Sequence, residues 1–138
     1  MVQDRTRGSV VFGDMKEGPG LLEVSFAYPA TPIDEPFFVA NRKWRVKAIR
    51  VRPLIAGTDG GAVTAEIRKA ASGTAIASGT LLHSGTINLK GTANTNLVPT
   101  LSTTAADLEI AVGDAIGLDV TGTTTAARGV VTVLLAPR

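Results

Sequence analysis

From Trp44 to Ala70 apolar and polar residues alternate with a period of two, and the alternation slips once. Trp44, Val46 and Ala48 are interleaved with Arg45 and Lys47, as in a strand with one buried and one wet face. Beyond Ala48 the phase is wrong: Ile49 and Val51 fall where the earlier parity puts solvent, and Arg50 and Arg52 where it puts core. A one-residue β-bulge near Ala48 restores the pattern. Ile49 and Val51 then turn inward, and Arg45, Lys47, Arg50 and Arg52 form a cationic stripe. After Pro53 and Leu54, Gly57-Thr58-Asp59-Gly60-Gly61 predicts a chain reversal. Val63, Ala65 and Ile67 then alternate with Thr64, Glu66 and Arg68 in a second strand. The pair predicts a hairpin in which Glu66 lies near an arginine of the first strand, a contact worth about 0.2–1 kcal/mol.

The same period marks other stretches. Leu22, Val24 and Phe26 alternate with Glu23 and Ser25. Leu108, Ile110 and Val112 alternate with Glu109 and Ala111, Gly113-Asp114 turns, and Ile116, Leu118 and Val120 follow, predicting a second hairpin. Val130 to Leu135 predicts an apolar closing strand ended by Pro137. Gly-Thr pairs recur at Gly73, Gly79, Gly85 and Gly91. A β-helix would need more such repeats than this, so the preferred expectation is short strands around Ile76, Leu81-Leu82 and Ile87–Leu89 separated by glycine turns. Thr103 to Asp107 predicts a short helical turn. Eight or so short strands with regularly spaced turns predict an all-β fold, a jelly-roll-like antiparallel β-sandwich over residues 41–138.

Residues 1–40 read differently. Gly8, Gly13, Gly18, Pro19 and Gly20 lie among scattered charges, and Pro29, Pro32 and Pro36 follow the first strand. Proline removes a ladder donor, so this stretch is expected to run outside any central sheet. It predicts an extended N-terminal arm with one short strand and apolar anchors at Phe12, Phe37 and Phe38. Such an arm wraps a neighbour or folds back on its own sandwich.

The length of 138 residues suits one domain. The absence of cysteine removes disulfides, thiolate zinc sites and a cysteine nucleophile. Without an apolar leader or a spanning stretch, the chain is expected to be soluble, made in a cytoplasm and without a membrane partner. The net charge of +2 is unevenly spread: residues 40–70 hold eight Lys/Arg against two Asp/Glu, whereas residues 1–39 hold three against six. That asymmetry predicts a patch for an acidic partner, formed by Arg42, Lys43, Arg45, Lys47, Arg50 and Arg52. Nucleic acid is disfavoured as that partner, since aromatics for base stacking do not interleave the outward cations.

Candidate chemistry is thin. His83 and Ser84 are strand neighbours and so point to opposite faces, a poor arrangement for base and nucleophile; a partly exposed structural histidine is expected. Asp59, Asp107, Asp114 and Asp119 have turn-residue placement without an EF-hand spacing, and no metal or cofactor is expected from them. The sequence points to a protein that binds rather than an enzyme.

The texture of Val46–Leu54, Ile67-Arg68-Lys69 leading to Ser72-Gly73-Thr74, Gly113-Asp114-Ala115-Ile116 and the terminal Val130-Val131-Thr132-Val133 resembles the head decoration, or cement, proteins of tailed bacteriophages with a jelly-roll body. The resemblance runs from about Trp44 to Pro137 and leaves the first forty residues unmatched. It implies a structural virion protein on the outer capsid surface, a dimer or trimer that clamps the major capsid protein shell. The alternative on the same fold is a receptor- or carbohydrate-binding module of a phage fibre, which usually presents exposed aromatics to sugars.

Overall fold

The computed structural model describes residues 20–58, 60–122 and 125–138. Among the described residues nine strands form two antiparallel sheets. The first contains β1 (Leu22–Tyr28), β3 (Trp44–Ile55), β7 (Glu109–Ile110) and β9 (Arg128–Pro137), in the order β1-β9-β3-β7. The second contains β2 (Asp34–Val39), β4 (Thr64–Ala70), β5 (Thr80–Leu81), β6 (Ile87–Asn88) and β8 (Ala115–Thr121), in the order β2-β8-β4-β5 with β6 also on β4. The architecture is the predicted β-sandwich. Val46, Ile49, Val51, Val131, Val133 and Leu135 from one sheet share a core with Ala65, Ile67, Ile116, Leu118 and Val120 from the other. Each fully buried aliphatic side chain contributes about 1.5–3 kcal/mol.

The slip in alternation is a bulge. Val46 pairs with Leu135 and Ala48 with Leu134, so Lys47 is the extra residue. Ile49 and Val51 are buried as expected, and Lys47, Arg50 and Arg52 are exposed. A second irregularity follows at Leu54, between the pairs Pro53↔Gly129 and Ile55↔Arg128.

Neither predicted hairpin forms. β3 lies in the first sheet and β4 in the second, so the chain changes sheet after Ile55, between sheets that stack about 10 Å apart. Gly57 anchors the crossing by donating its N–H to the Leu89 carbonyl at 3.0 Å. Likewise the turn at 111–114 joins β7 in the first sheet to β8 in the second. Asp114 Oδ2 accepts the Ala111 N–H at 3.0 Å, and Ala40 exchanges bonds with Asp114 and Gly113 at 2.9 and 2.8 Å. Two inter-sheet corners therefore brace each other. Alternation marks which face of a strand is buried but not which strand lies beside it, and that is why both hairpins were expected. Glu66 consequently faces no arginine of β3. It pairs with Arg68 of its own strand and lies opposite Asp119.

Residues 20–40, expected as part of an arm, supply an edge strand to each sheet: β1 pairs with β9 and β2 with β8. Edge position makes Pro36 tolerable inside β2, and the register shifts between Pro36 and Phe38. Phe37 and Phe38 are both half-buried against the core, and the Phe37 ring stacks on Phe26 at 5.5 Å. These two anchors therefore serve their own sandwich. Phe12 and the rest of residues 1–19 lie outside the described residues.

The Gly-Thr stretch yields short elements rather than a solenoid. A 3-10 turn at Ile76–Ser78 precedes β5 and β6, and a second, Ala105–Leu108, covers the predicted helical turn. Gly79 is required by a close approach, since a Cβ there would lie 2.2 Å from the Lys69 carbonyl oxygen.

Candidate functional site

The outward face of β3 carries the stripe. Arg45, Lys47, Arg50 and Arg52 span seven residue steps, roughly 23 Å at strand spacing, and the bulge keeps all four on one side. Arg42 and Lys43 are exposed immediately before the strand, with the Arg42 guanidinium 5.2 Å from the centre of the Trp44 ring, a cation–π contact. Trp44 itself is buried.

The six cations are not equivalent. Glu109 of β7 lies 3.7 Å from Arg45 and also pairs with Arg138, so the charge at that end is partly answered. Arg52 donates from Nε to Asn96 Oδ1 at 2.8 Å. The Lys47 and Arg50 side chains have no ion pair or hydrogen bond among the described residues. Beside the stripe the ladder places neutral side chains: Arg50 is in register with Thr132 and Ser25, and Arg52 with Val130 and Ala27. Ser25 and Thr132 share a hydroxyl hydrogen bond of 2.8 Å. The stripe thus borders a neutral surface of mostly small residues, with Glu23 beside Leu134 as the acid on β1.

The opposite sheet has the opposite sign. Asp34, Asp119 and Glu66 follow one another across β2, β8 and β4, with Arg68 held between the Glu66 carboxylate and the Gly79 carbonyl. Burial, then the Asp34 and Glu66 charges, push the Asp119 carboxyl above its ordinary range against the pull of Arg68. This cluster is engaged structurally, since Asp34 Oδ1 accepts the Ala77 N–H at 2.9 Å. No group of three His, Asp or Glu side chains suited to a metal occurs among the described residues. Of the other aspartates singled out, Asp107 accepts the Ser102 hydroxyl at 2.6 Å and Asp114 caps its own turn. Asp59 lies outside the described residues.

His83 is buried, not partly exposed as expected. Its Nε2 accepts the Ile67 N–H at 3.0 Å, between the points where β4 pairs with β5 and with β6. An imidazole thus replaces a backbone acceptor in the ladder. Acceptance at Nε2 places the ring proton on Nδ1, and burial holds the ring below its ordinary value of 6.5. Ser84 is exposed and its N–H bonds the Thr100 carbonyl at 2.8 Å, so the two neighbours do not assemble into a base and nucleophile. The ladder role of His83 left no signal in the sequence, because it depends on the gap between β5 and β6.

No protein-family model, curated protein or solved structure matches the chain. Among the described residues no helix is long and apolar enough to cross a membrane.

Proposed function

We propose that this chain is a structural virion protein that binds the outer surface of a phage head and stabilises the shell of major capsid protein. The observation that carries the proposal is the polarised sandwich: an exposed cationic stripe, kept on one face by the Lys47 bulge, lies opposite a sheet bearing Asp34, Glu66 and Asp119. A body of that kind docks in one orientation, with β3 towards acidic capsid surface. Strand order supports the finer reading of the body as a jelly roll. β1 pairs with β9, β2 with β8, β3 with β7, and β4 with β5 and β6, so the chain is a long folded-back ribbon wrapped into two sheets. Resemblance to phage decoration proteins and a dimeric or trimeric assembly belong to the same proposal, because modest contacts repeated by symmetry give high avidity. The fibre alternative is weaker: Phe26, Tyr28, Phe37, Phe38 and Trp44 are all buried or half-buried, leaving little among the described residues for a sugar to stack on.

The test is charge reversal of Arg45, Lys47, Arg50 and Arg52 together, followed by sedimentation with undecorated heads over a range of salt. Wild-type occupancy is expected to fall as salt rises, and the variant is expected to bind weakly with little salt response. Equal occupancy of wild type and variant at low salt would remove the stripe from the account.

A further inference from the structure

At the end of the first sheet where Tyr28, Gly129 and Pro53 meet in register, an open cleft of about 370 Å³ lies between β1, β3 and β9. Its apolar lining comes from Ala27, Leu54 and Val130, and both Leu54 and Val130 are exposed. Two guanidinium groups, Arg52 and Arg128, flank that lining. The Arg128 guanidinium has no ion pair or hydrogen bond among the described residues, and Arg52 is oriented from one side by Asn96.

Tyr28, 2% exposed, closes the cleft from the core side, where its hydroxyl lies beneath Gly129 without a hydrogen-bond partner among the described residues. The wall is held in place beforehand. Asn94 takes a left-handed conformation, φ 60°, and donates its N–H to the Pro53 carbonyl at 2.7 Å, while Leu97 and Val51 exchange bonds at 2.7 and 2.9 Å.

We propose that this cleft is a binding site for an amphiphilic carboxylate, an acid group joined to a short hydrocarbon chain. The carboxylate accepts hydrogen bonds from Arg52 and Arg128, and the hydrocarbon lies on Leu54, Val130 and Ala27. Guanidinium geometry favours a two-oxygen acceptor over a neutral head group. An ammonium head is excluded by charge. The site does not depend on the capsid proposal, because its occupant is a small molecule and its test uses the isolated protein.

Titration of the ¹⁵N-labelled full chain with octanoate, and separately with octylamine, decides the matter by NMR. Octanoate is expected to give saturable shifts at the Ala27, Asn94, Gly129 and Val130 amides, and octylamine none. Arg128→Gln is expected to weaken octanoate about tenfold, the effect of losing one charge-assisted hydrogen bond. Arg50→Gln, on the same strand but outside the cleft, is expected to leave it unchanged. Equal binding of octylamine, absence of saturation with octanoate, or an Arg128→Gln variant that binds like wild type would each overturn the assignment.

Discussion

Replacing His83 with leucine separates the ladder role of the imidazole from simple space filling. Nε2 accepts the Ile67 N–H at 3.0 Å in a fully packed setting, and leucine fills the space without offering an acceptor. The stranded N–H costs about 1–3 kcal/mol, a large share of the roughly 5–15 kcal/mol that holds a domain together. Protonation attacks the same bond, because an imidazolium has no acceptor nitrogen. Burial is the largest influence on His83 and lowers its pKa; the Ser84 and Gly85 backbone and the Glu66 charge oppose it, and Arg68 adds to it. The unfolded chain therefore takes up its proton first as pH falls below 6.5. Stability is complete above that value and declines towards the lower folded pKa, with a slope of at most about 1.36 kcal/mol per pH unit for one proton. Asp119 works with the other sign. Its raised pKa favours the folded state as pH drops into the carboxylate range, so the histidine effect is read above that range. Urea unfolding followed by the single tryptophan, Trp44, from about pH 8 to about pH 5 is the assay. Wild type is expected to lose midpoint below 6.5, and His83→Leu to start lower and stay flat. A wild-type midpoint that ignores pH across this range, or a leucine variant as stable as wild type, would refute the reasoning.

Two further variants probe the scaffold. Gly117→Ala is expected to destabilise by about 1–3 kcal/mol in thermal or urea unfolding, because the new Cβ would sit 2.5 Å from Ile76 Cγ1 and 2.7 Å from the Glu35 carbonyl oxygen. Adding Ile76→Ala relieves the first contact but not the second, so the double variant is expected not to regain wild-type stability. Deleting Lys47 removes the bulge residue yet leaves Val46 and Ile49 facing the core. It is expected to cost less than deleting Ile49, which puts Ala48 in a core position at about 2–5 kcal/mol; the reverse order in urea unfolding would contradict the bulge.

Parity was the most legible property of the chain because it is local. Whether Ile49 or Arg50 meets oil depends on its immediate neighbours, and the compensating bulge follows from six or seven residues. Pairing is not local. Gly57–Gly61 and Gly113-Asp114 have the composition of hairpin turns, but the strands they join belong to different sheets, and the partner of β3 is β9, some eighty residues on. Edge strands are disguised for a related reason. β2 contains Pro36 and two adjacent phenylalanines, a pattern that spoils strict alternation, yet an edge strand with a register shift accepts both. Of the candidate site, the four stripe residues were legible from spacing. The acidic counter-face was not, because Asp34, Glu66 and Asp119 come from three distant segments.

The bulge and the crossovers then combine to one effect. Had β3 kept the Val46–Leu135 register through Ala48, Arg50 and Arg52 would fall opposite Val131 and Gly129 on the core face, and burying unpaired guanidinium groups is prohibitive. Had β3 and β4 formed a hairpin, Glu66 would sit among the cations of β3 and cancel part of their field. The one-residue insertion gathers positive charge on the first sheet, and the change of sheet after Ile55 carries Glu66 to the far side, where it meets Asp119. Separation of charge across the sandwich is thus a product of backbone geometry as much as of composition. A surface made in this way keeps its sign only while the register of β3 against β9 holds, so the Lys47 deletion and the charge reversals test two ends of a single mechanism.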